Sequence, residues 1–192
     1  MPREGYTAFV AALLDHPSIA LELGHPFRPA DRNGHDHTFF CGSLDGWFGH
    51  VAGALGYRTL DFEIERHDAP VQGCAVMSYP SVDVPWTRIS EHRYLSPWDD
   101  VAGSVTFREF SRDARRDDVL YYPLRLVDDR DTLARYVAMA EAETGVTFAG
   151  RLGTYRYLDM DVCVAEARLT AATHVEALKV GGTTPAFVHR PL

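Results

Sequence analysis

Apolar positions recur at helical spacing in some stretches of the chain and alternate with polar positions in others. Phe9, Val10, Leu13 and Leu14 form one stripe within residues 5–15, the period of a helix. Ile19, Leu21 and Leu23 then alternate, which predicts a short strand, and the Pro, Asp, Asn, Gly and His of residues 25–37 predict a loop. Thr38 to Cys41 reads as a buried strand, leading through Gly42-Ser43-Leu44-Asp45 into a short helix that carries Trp47, Phe48 and Val51. From Arg58 to Glu65, Leu60, Phe62 and Ile64 alternate with charged residues, the pattern of a strand with one wet face. Residues 72–79, 86–94 and 103–110 repeat it between Pro, Asp and Gly, and four such strands predict an antiparallel sheet. Beyond Tyr121-Tyr122-Pro123 helical spacing returns. Asp131 suits the N-cap of a helix that turns Leu133, Tyr136, Val137 and Ala140 inward. Val146 to Phe148 is a short strand. Asp159 caps a last helix with Val162, Ala165 and Leu169 inward, ended by Gly181-Gly182. Residues 183–192 are a tail with no clear element.

The order of these elements predicts an α/β (α+β) fold: a single domain over residues 1–182, in which residues 1–56 and 124–182 form a split α/β part and residues 57–123 an inserted antiparallel sheet. A chain of 192 residues can bury a core of its own. Its net charge of -8 and the lack of any Lys/Arg-rich run exclude a nucleic-acid footprint. An anionic ligand must then be held by a few placed cations. No apolar run is long enough to span a membrane, and Met1-Pro2-Arg3-Glu4-Gly5 has no apolar signal core, so a cytoplasmic protein is expected. Cys41, Cys74 and Cys163 are too widely spaced for a disulfide framework or a paired zinc knuckle and read as three buried thiols.

Several segments occur in an order that narrows the reading. Gly5-Tyr6-Thr7 with Leu14-Asp15-His16-Pro17 comes first, then Phe40-Cys41-Gly42-Ser43-Leu44-Asp45, then Leu55-Gly56-Tyr57-Arg58-Thr59-Leu60 with Phe62-Glu63. Gln72-Gly73, Val84-Pro85-Trp86-Thr87-Arg88-Ile89 with Glu91-His92, and Tyr121-Tyr122-Pro123 follow. Phe148-Ala149-Gly150-Arg151-Leu152-Gly153, with Tyr155, Tyr157, Asp159 and Met160, closes the series. Together, over roughly residues 5–172, they resemble the carboxy-terminal half of the UDP-galactopyranose mutase family. The resemblance implies a truncated Rossmann-like α/β unit with an inserted antiparallel sheet. It also implies an isomerase that interconverts pyranose and furanose forms of a nucleotide-linked galactose.

The resemblance assigns site residues one at a time. Arg88 stands at the family's diphosphate-gripping arginine, and Tyr122 and Tyr157 at its two diphosphate-facing tyrosines. Asp159 stands at the aspartate beside them, Arg58 at an arginine near flavin and sugar, and Arg151 at one that contacts the flavin. The residue types suit a diphosphate, since a guanidinium fork fits phosphate oxygens and a phenol donates to the same anion while staying neutral. The set of candidate catalytic residues is therefore Arg88, Tyr157, Asp159 and Arg58, and the diphosphate set Arg88, Tyr122, Tyr157 and Arg151.

No G-x-G-x-x-G turn opens the chain, and Gly150-Arg151-Leu152-Gly153 is too short to replace one, so no flavin is expected. Within the match, Asp61 replaces a family arginine and Ser78 a family asparagine. Asp61 is the candidate ligand for a divalent cation, Mg²⁺ or Mn²⁺, that clamps the diphosphate; a plain surface Asp is the competing reading. His35, Asp36 and His37, with His25 nearby, could bind a transition metal or simply face water. The narrowest expectation is a flavin-independent mutase acting on GDP- or UDP-galactose, GDP-L-galactose foremost. The rival is a nucleotide-sugar-binding module or one subunit of a two-chain flavin-dependent mutase. An apolar face left uncovered would mark such an interface or a homodimer.

Overall fold

The computed structural model describes residues 1–124 and 129–191. Two compact units emerge. One comprises Met1–Pro26 and Leu60–Arg112; the other comprises Phe27–Thr59 and Asp113–Leu192. The chain passes from the second to the first inside one long strand.

The second unit carries the apolar core. Strand β1 (Thr38–Phe40) and helix α2 (Leu44–Trp47) precede β2 (Tyr57–His67), whose first three residues belong here. Further along the chain, β6 (Tyr122–Pro123), α3 (Arg130–Glu141), β7 (Val146–Phe148), α4 (Gly150–Gly153) and α5 (Met160–Lys179) complete it. β1 and β7 pair in parallel, Phe40 beside Phe148, and β6 pairs antiparallel with the start of β2, Tyr122 beside Arg58. Helix α3 buries Leu133, Tyr136, Val137 and Ala140, the stripe its spacing predicts. It begins two residues earlier than expected, with Asp129 at the N-cap; Asp131 falls in the first turn, where its charge complements the helix dipole. These side chains pack with Leu44, Trp47, Leu55, Tyr57, Val146, Phe148, Tyr155 and Phe187. The chain end has no regular element but is not loose: Phe187 lies in the core, and the Phe148 N–H donates to the Ala186 carbonyl at 2.8 Å.

Gly153 shows how tightly α4 is set against β1. A Cβ there would come within 2.7 Å of the Phe40 carbonyl oxygen, so one backbone would have to move. Gly153→Ala is expected to lower stability by about 1–3 kcal/mol, read as a lower midpoint of thermal unfolding.

Helix α5 departs from expectation. Val162, Ala165 and Leu169, predicted inward, are exposed, and the inward stripe is Cys163, Glu166 and Thr170. Glu166 explains the choice: it receives two bonds from Arg156, at 2.9 and 3.0 Å, and an ion-paired carboxylate anchors the helix on that side.

The first unit holds α1 (Gly5–Leu14), β3 (Val76–Ser78), β4 (Arg88–Glu91), β5 (Ser104–Asp113, the last residue excepted) and the rest of β2. The sheet order within it is β3-β4-β5-β2, with antiparallel pairing from β3 to β5. All four predicted strands are present. Ile19, Leu21 and Leu23 form no strand; they lie exposed, without a ladder for their backbone groups. The apolar side of β2 is open too, with Phe62 and Ile64 exposed.

What this unit buries is polar. Glu91 is fully inaccessible and accepts from Ser104 Oγ at 2.6 Å and from the N–H groups of Gln72 and Val71 at 2.7 and 3.1 Å. Gln72 in turn donates to the carbonyls of Cys74 and Ile89. Two motif residues, Gln72 and Glu91, thus pin the 71–74 loop onto β4. Burial alone would push the Glu91 carboxyl up, but the bonds from Ser104, Gln72 and Val71, with the charge of His67, hold it below its ordinary 4.5. A depressed carboxyl stabilises the fold above its unfolded value and loses that contribution as pH falls through the folded one. The stability gap between wild type and Glu91→Gln should therefore be widest near neutrality and should close below about pH 4.5, as measured by denaturant unfolding at stepped pH.

Candidate diphosphate site

In the second unit, β2, β6, α4 and the turn before α5 bring four of the predicted residues to one place. Arg58 and Tyr122 are direct cross-strand neighbours, so their side chains share a face of the β2–β6 ribbon. The Tyr122 ring meets the Tyr157 ring edge-on, centroids 5.7 Å apart. The Arg151 guanidinium lies 4.9 Å from the centre of the Tyr157 ring. Arg151 is held from behind: its Nε and one Nη donate to the Leu158 carbonyl, and the other Nη to the Tyr121 carbonyl at 3.1 Å. Arg58 is bound to Asp113 at 2.9 Å.

Tyr155 fixes the turn. It is buried at a positive φ of 47°, and its hydroxyl lies 2.7 Å from Asp129 Oδ2 and 2.8 Å from the Gly56 carbonyl. The chain leaves it with Tyr157 pointing outward, 60% exposed. Among the described residues neither the Tyr122 nor the Tyr157 hydroxyl has a hydrogen-bond partner. Two phenol donors therefore stand free beside an immobilised guanidinium. Asp159 is exposed at the N-cap of α5, and its carboxylate makes no capping bond.

The other two predicted residues belong to the first unit, and each has a partner. Arg88 donates through Nε to Glu109 at 2.8 Å, its nearest cross-strand neighbour on β5. Its two Nη groups have no partner among the described residues. Asp61, the candidate metal ligand, is clamped by Arg112 at 2.7 and 3.3 Å. No group of three or more His, Cys, Asp or Glu that could hold a metal occurs among the described residues. His37 turns to Thr147, 3.0 Å away, and its ring lies tilted against that of His174, centroids 4.7 Å apart; burial and the neighbouring imidazole push its pKa down. Cys41 is exposed and Cys74 and Cys163 half-buried, all free, so the expected buried thiols are corrected. Among the described residues, the parallel strands β1 and β7 have three residues each, and the helices following them, α2 and α4, have four each.

Sequence reasoning missed Glu109 and Asp113, because only strand register reveals which carboxylate faces which arginine.

A sequence model of the family described as GLF, UDP-galactopyranose mutase, matches residues 1–157. The chain belongs to that family. A probable UDP-galactopyranose mutase of Klebsiella pneumoniae is 46% identical over 187 residues, which cover 97% of this chain and 49% of that protein. A dTDP-fucopyranose mutase of Escherichia coli is 45% identical over 183 residues, 92% of this chain and 48% of that protein. This member of the family thus spans about half the length of the curated relatives it matches. Among solved structures, a reduced UDP-galactopyranose mutase superposes with a TM-score of 0.53 at 14% identity, over 74% of this chain and 42% of that one. That likeness supports the mixed α/β fold with its antiparallel sheet. No helix among the described residues is long and apolar enough to cross a membrane.

Proposed function

We propose that the chain acts in the pyranose/furanose interconversion of a nucleoside-diphosphate galactose, and that its second unit holds the diphosphate. The observation that carries this reading is the pair of free phenols, Tyr122 and Tyr157, beside the braced Arg151. Cleavage of the anomeric C–O bond leaves negative charge on the diphosphate. Donors set in place beforehand stabilise that charge without having to reorganise. The two O–H groups and the N–H groups of the Arg151 guanidinium are such donors. Asp159, exposed and uncommitted, is the group that carries a proton between the ring hydroxyls during opening and reclosure. Asp61 neutralises Arg112 in this reading, and any Mg²⁺ or Mn²⁺ would have to displace that guanidinium to reach it.

In its narrowest form the reading is a flavin-independent mutase acting on GDP-L-galactose. A second reading is favoured by α5, whose Val162, Val164, Leu169, Val175 and Leu178 are all exposed. There the chain binds the nucleotide sugar and works with a further segment or subunit that covers this face. One assay divides the two. The purified, colourless chain is incubated with GDP- or UDP-galactose and Mg²⁺ without flavin, and the ring forms are separated by chromatography. Furanose formation supports the narrow reading; binding without turnover supports the second; neither binding nor turnover contradicts both.

A further inference from the structure

A cavity of about 480 Å³ lies wholly within the second unit, bounded by Asp45, His50, Leu55, Tyr57, Arg115 and Arg116 among others. That volume is in the range of small-molecule sites. Tyr57 alternates with Arg58 along β2, so the cavity lies on the face of the β2–β6 ribbon opposite Arg58 and Tyr122. Nothing in the diphosphate reading uses it.

Its floor is a closed hydrogen-bond network. Asp45 is 1% exposed and accepts from the N–H groups of Gly46 and Leu55, both at 3.0 Å, from the Tyr57 hydroxyl at 3.3 Å, and from His50 Nδ1 at 3.1 Å. A carboxylate only accepts, so Nδ1 carries the hydrogen and Nε2 is the nitrogen left for a ligand. His50 achieves this at a φ of +62°, a region that side chains other than Gly rarely occupy, kept by its N–H bond to the Asp45 carbonyl at 2.9 Å.

The mouth is cationic. Several guanidiniums of this unit have partners: Arg58 pairs with Asp113, Arg156 with Glu166, and Arg151 donates to backbone carbonyls. Arg115 and Arg116, adjacent and exposed, have no side-chain partner among the described residues. The nearby Asp118 carboxylate accepts the Arg115 backbone N–H at 2.7 Å and so shapes the turn that presents them. Arg115 and Arg116, neither ion-paired among the described residues, line the cavity together with the carboxylates of Asp45 and Asp118, and in a chain of net charge -8 they are the groups that can hold an anion there. Leu55, Ala114 and Leu120 supply an apolar wall.

We infer that this cavity binds a phosphorylated small molecule of sugar-phosphate size. The phosphate sits between the guanidiniums of Arg115 and Arg116, and a hydroxyl of the body meets His50 Nε2. The inference is independent of the role given to Tyr122 and Tyr157.

The test is a titration of the full chain with inorganic phosphate and with glucose 1-phosphate, glucose serving as the uncharged control. Binding is followed by calorimetry and by the imidazole ¹H–¹⁵N signals of His50. Both anions should shift the His50 signals and glucose should not. Arg115→Ala/Arg116→Ala, expected to melt at the wild-type temperature because both side chains are exposed, should weaken binding at least tenfold. Tyr122→Phe/Tyr157→Phe should leave the affinity read from the His50 signals within twofold. Still His50 signals, equal binding of glucose, unchanged affinity in the arginine variant, or loss of binding in the tyrosine variant would each overturn the inference.

Discussion

Asp45→Ala should cost the second unit about 3–5 kcal/mol, the usual loss when one member of a buried, hydrogen-bonded charge network is removed. The carboxylate is 1% exposed and answers four donors, from Gly46, Leu55, Tyr57 and His50. Taking it away leaves the buried Leu55 N–H and Tyr57 hydroxyl without this acceptor, and a desolvated donor is costly. Tyr57 offers no relief, because burial alone pushes its pKa up and keeps the phenol protonated. The left-handed turn at His50 loses its side-chain anchor at the same stroke. Asp45→Asn should lose less, since one oxygen can still accept while the amide faces donors. Denaturant unfolding of the three proteins checks this. Equal midpoints for wild type and Asp45→Ala would mean the network carries no stability.

Tyr122→Phe and Tyr157→Phe should each weaken nucleoside-diphosphate binding by about tenfold to a hundredfold. A hydrogen bond to a charged group is worth about 1.5–3 kcal/mol, and the ring packing survives the change. The two rings touch, so the double variant should lose less than the product of the single effects. Arg151→Lys tests the third member. It keeps the charge but loses the fork that reaches both the Leu158 and Tyr121 carbonyls, so it should both weaken binding and loosen the turn under Tyr157. Calorimetric titration with UDP reads all four proteins, and unfolding midpoints separate binding loss from destabilisation.

Much of this was legible in the chain because short-range physics decided it. The stripe of α3 needed only helical spacing, and the four strands of the antiparallel sheet only alternation between turn residues. The ordered motifs placed Arg58, Tyr122, Arg151 and Tyr157, and the fold gathers them at one place. What was not legible depends on partners far away in sequence. Val162 and Leu169 look like an inward face, yet the ion pair of Arg156 with Glu166, ten residues apart, decides which side of α5 turns in. Leu21 and Leu23 alternate like a strand, but alternation cannot supply a neighbour for the ladder. Glu109 stands opposite Arg88 only because β4 and β5 pair in one register. The same holds for Asp45: as a motif residue it suggested nothing beyond the family likeness, and only the folded chain shows four donors closing on it.

The central claim is that the free hydroxyls of Tyr122 and Tyr157 meet the two phosphates of an activated sugar. The most direct measurement labels the tyrosines at Cζ with ¹³C and follows their signals while UDP-galactose is added. Tyr122 and Tyr157 should shift together along one saturation curve, while the buried Tyr136 and Tyr155 stay in place. Saturable binding that leaves the Tyr122 and Tyr157 signals unmoved would contradict the claim.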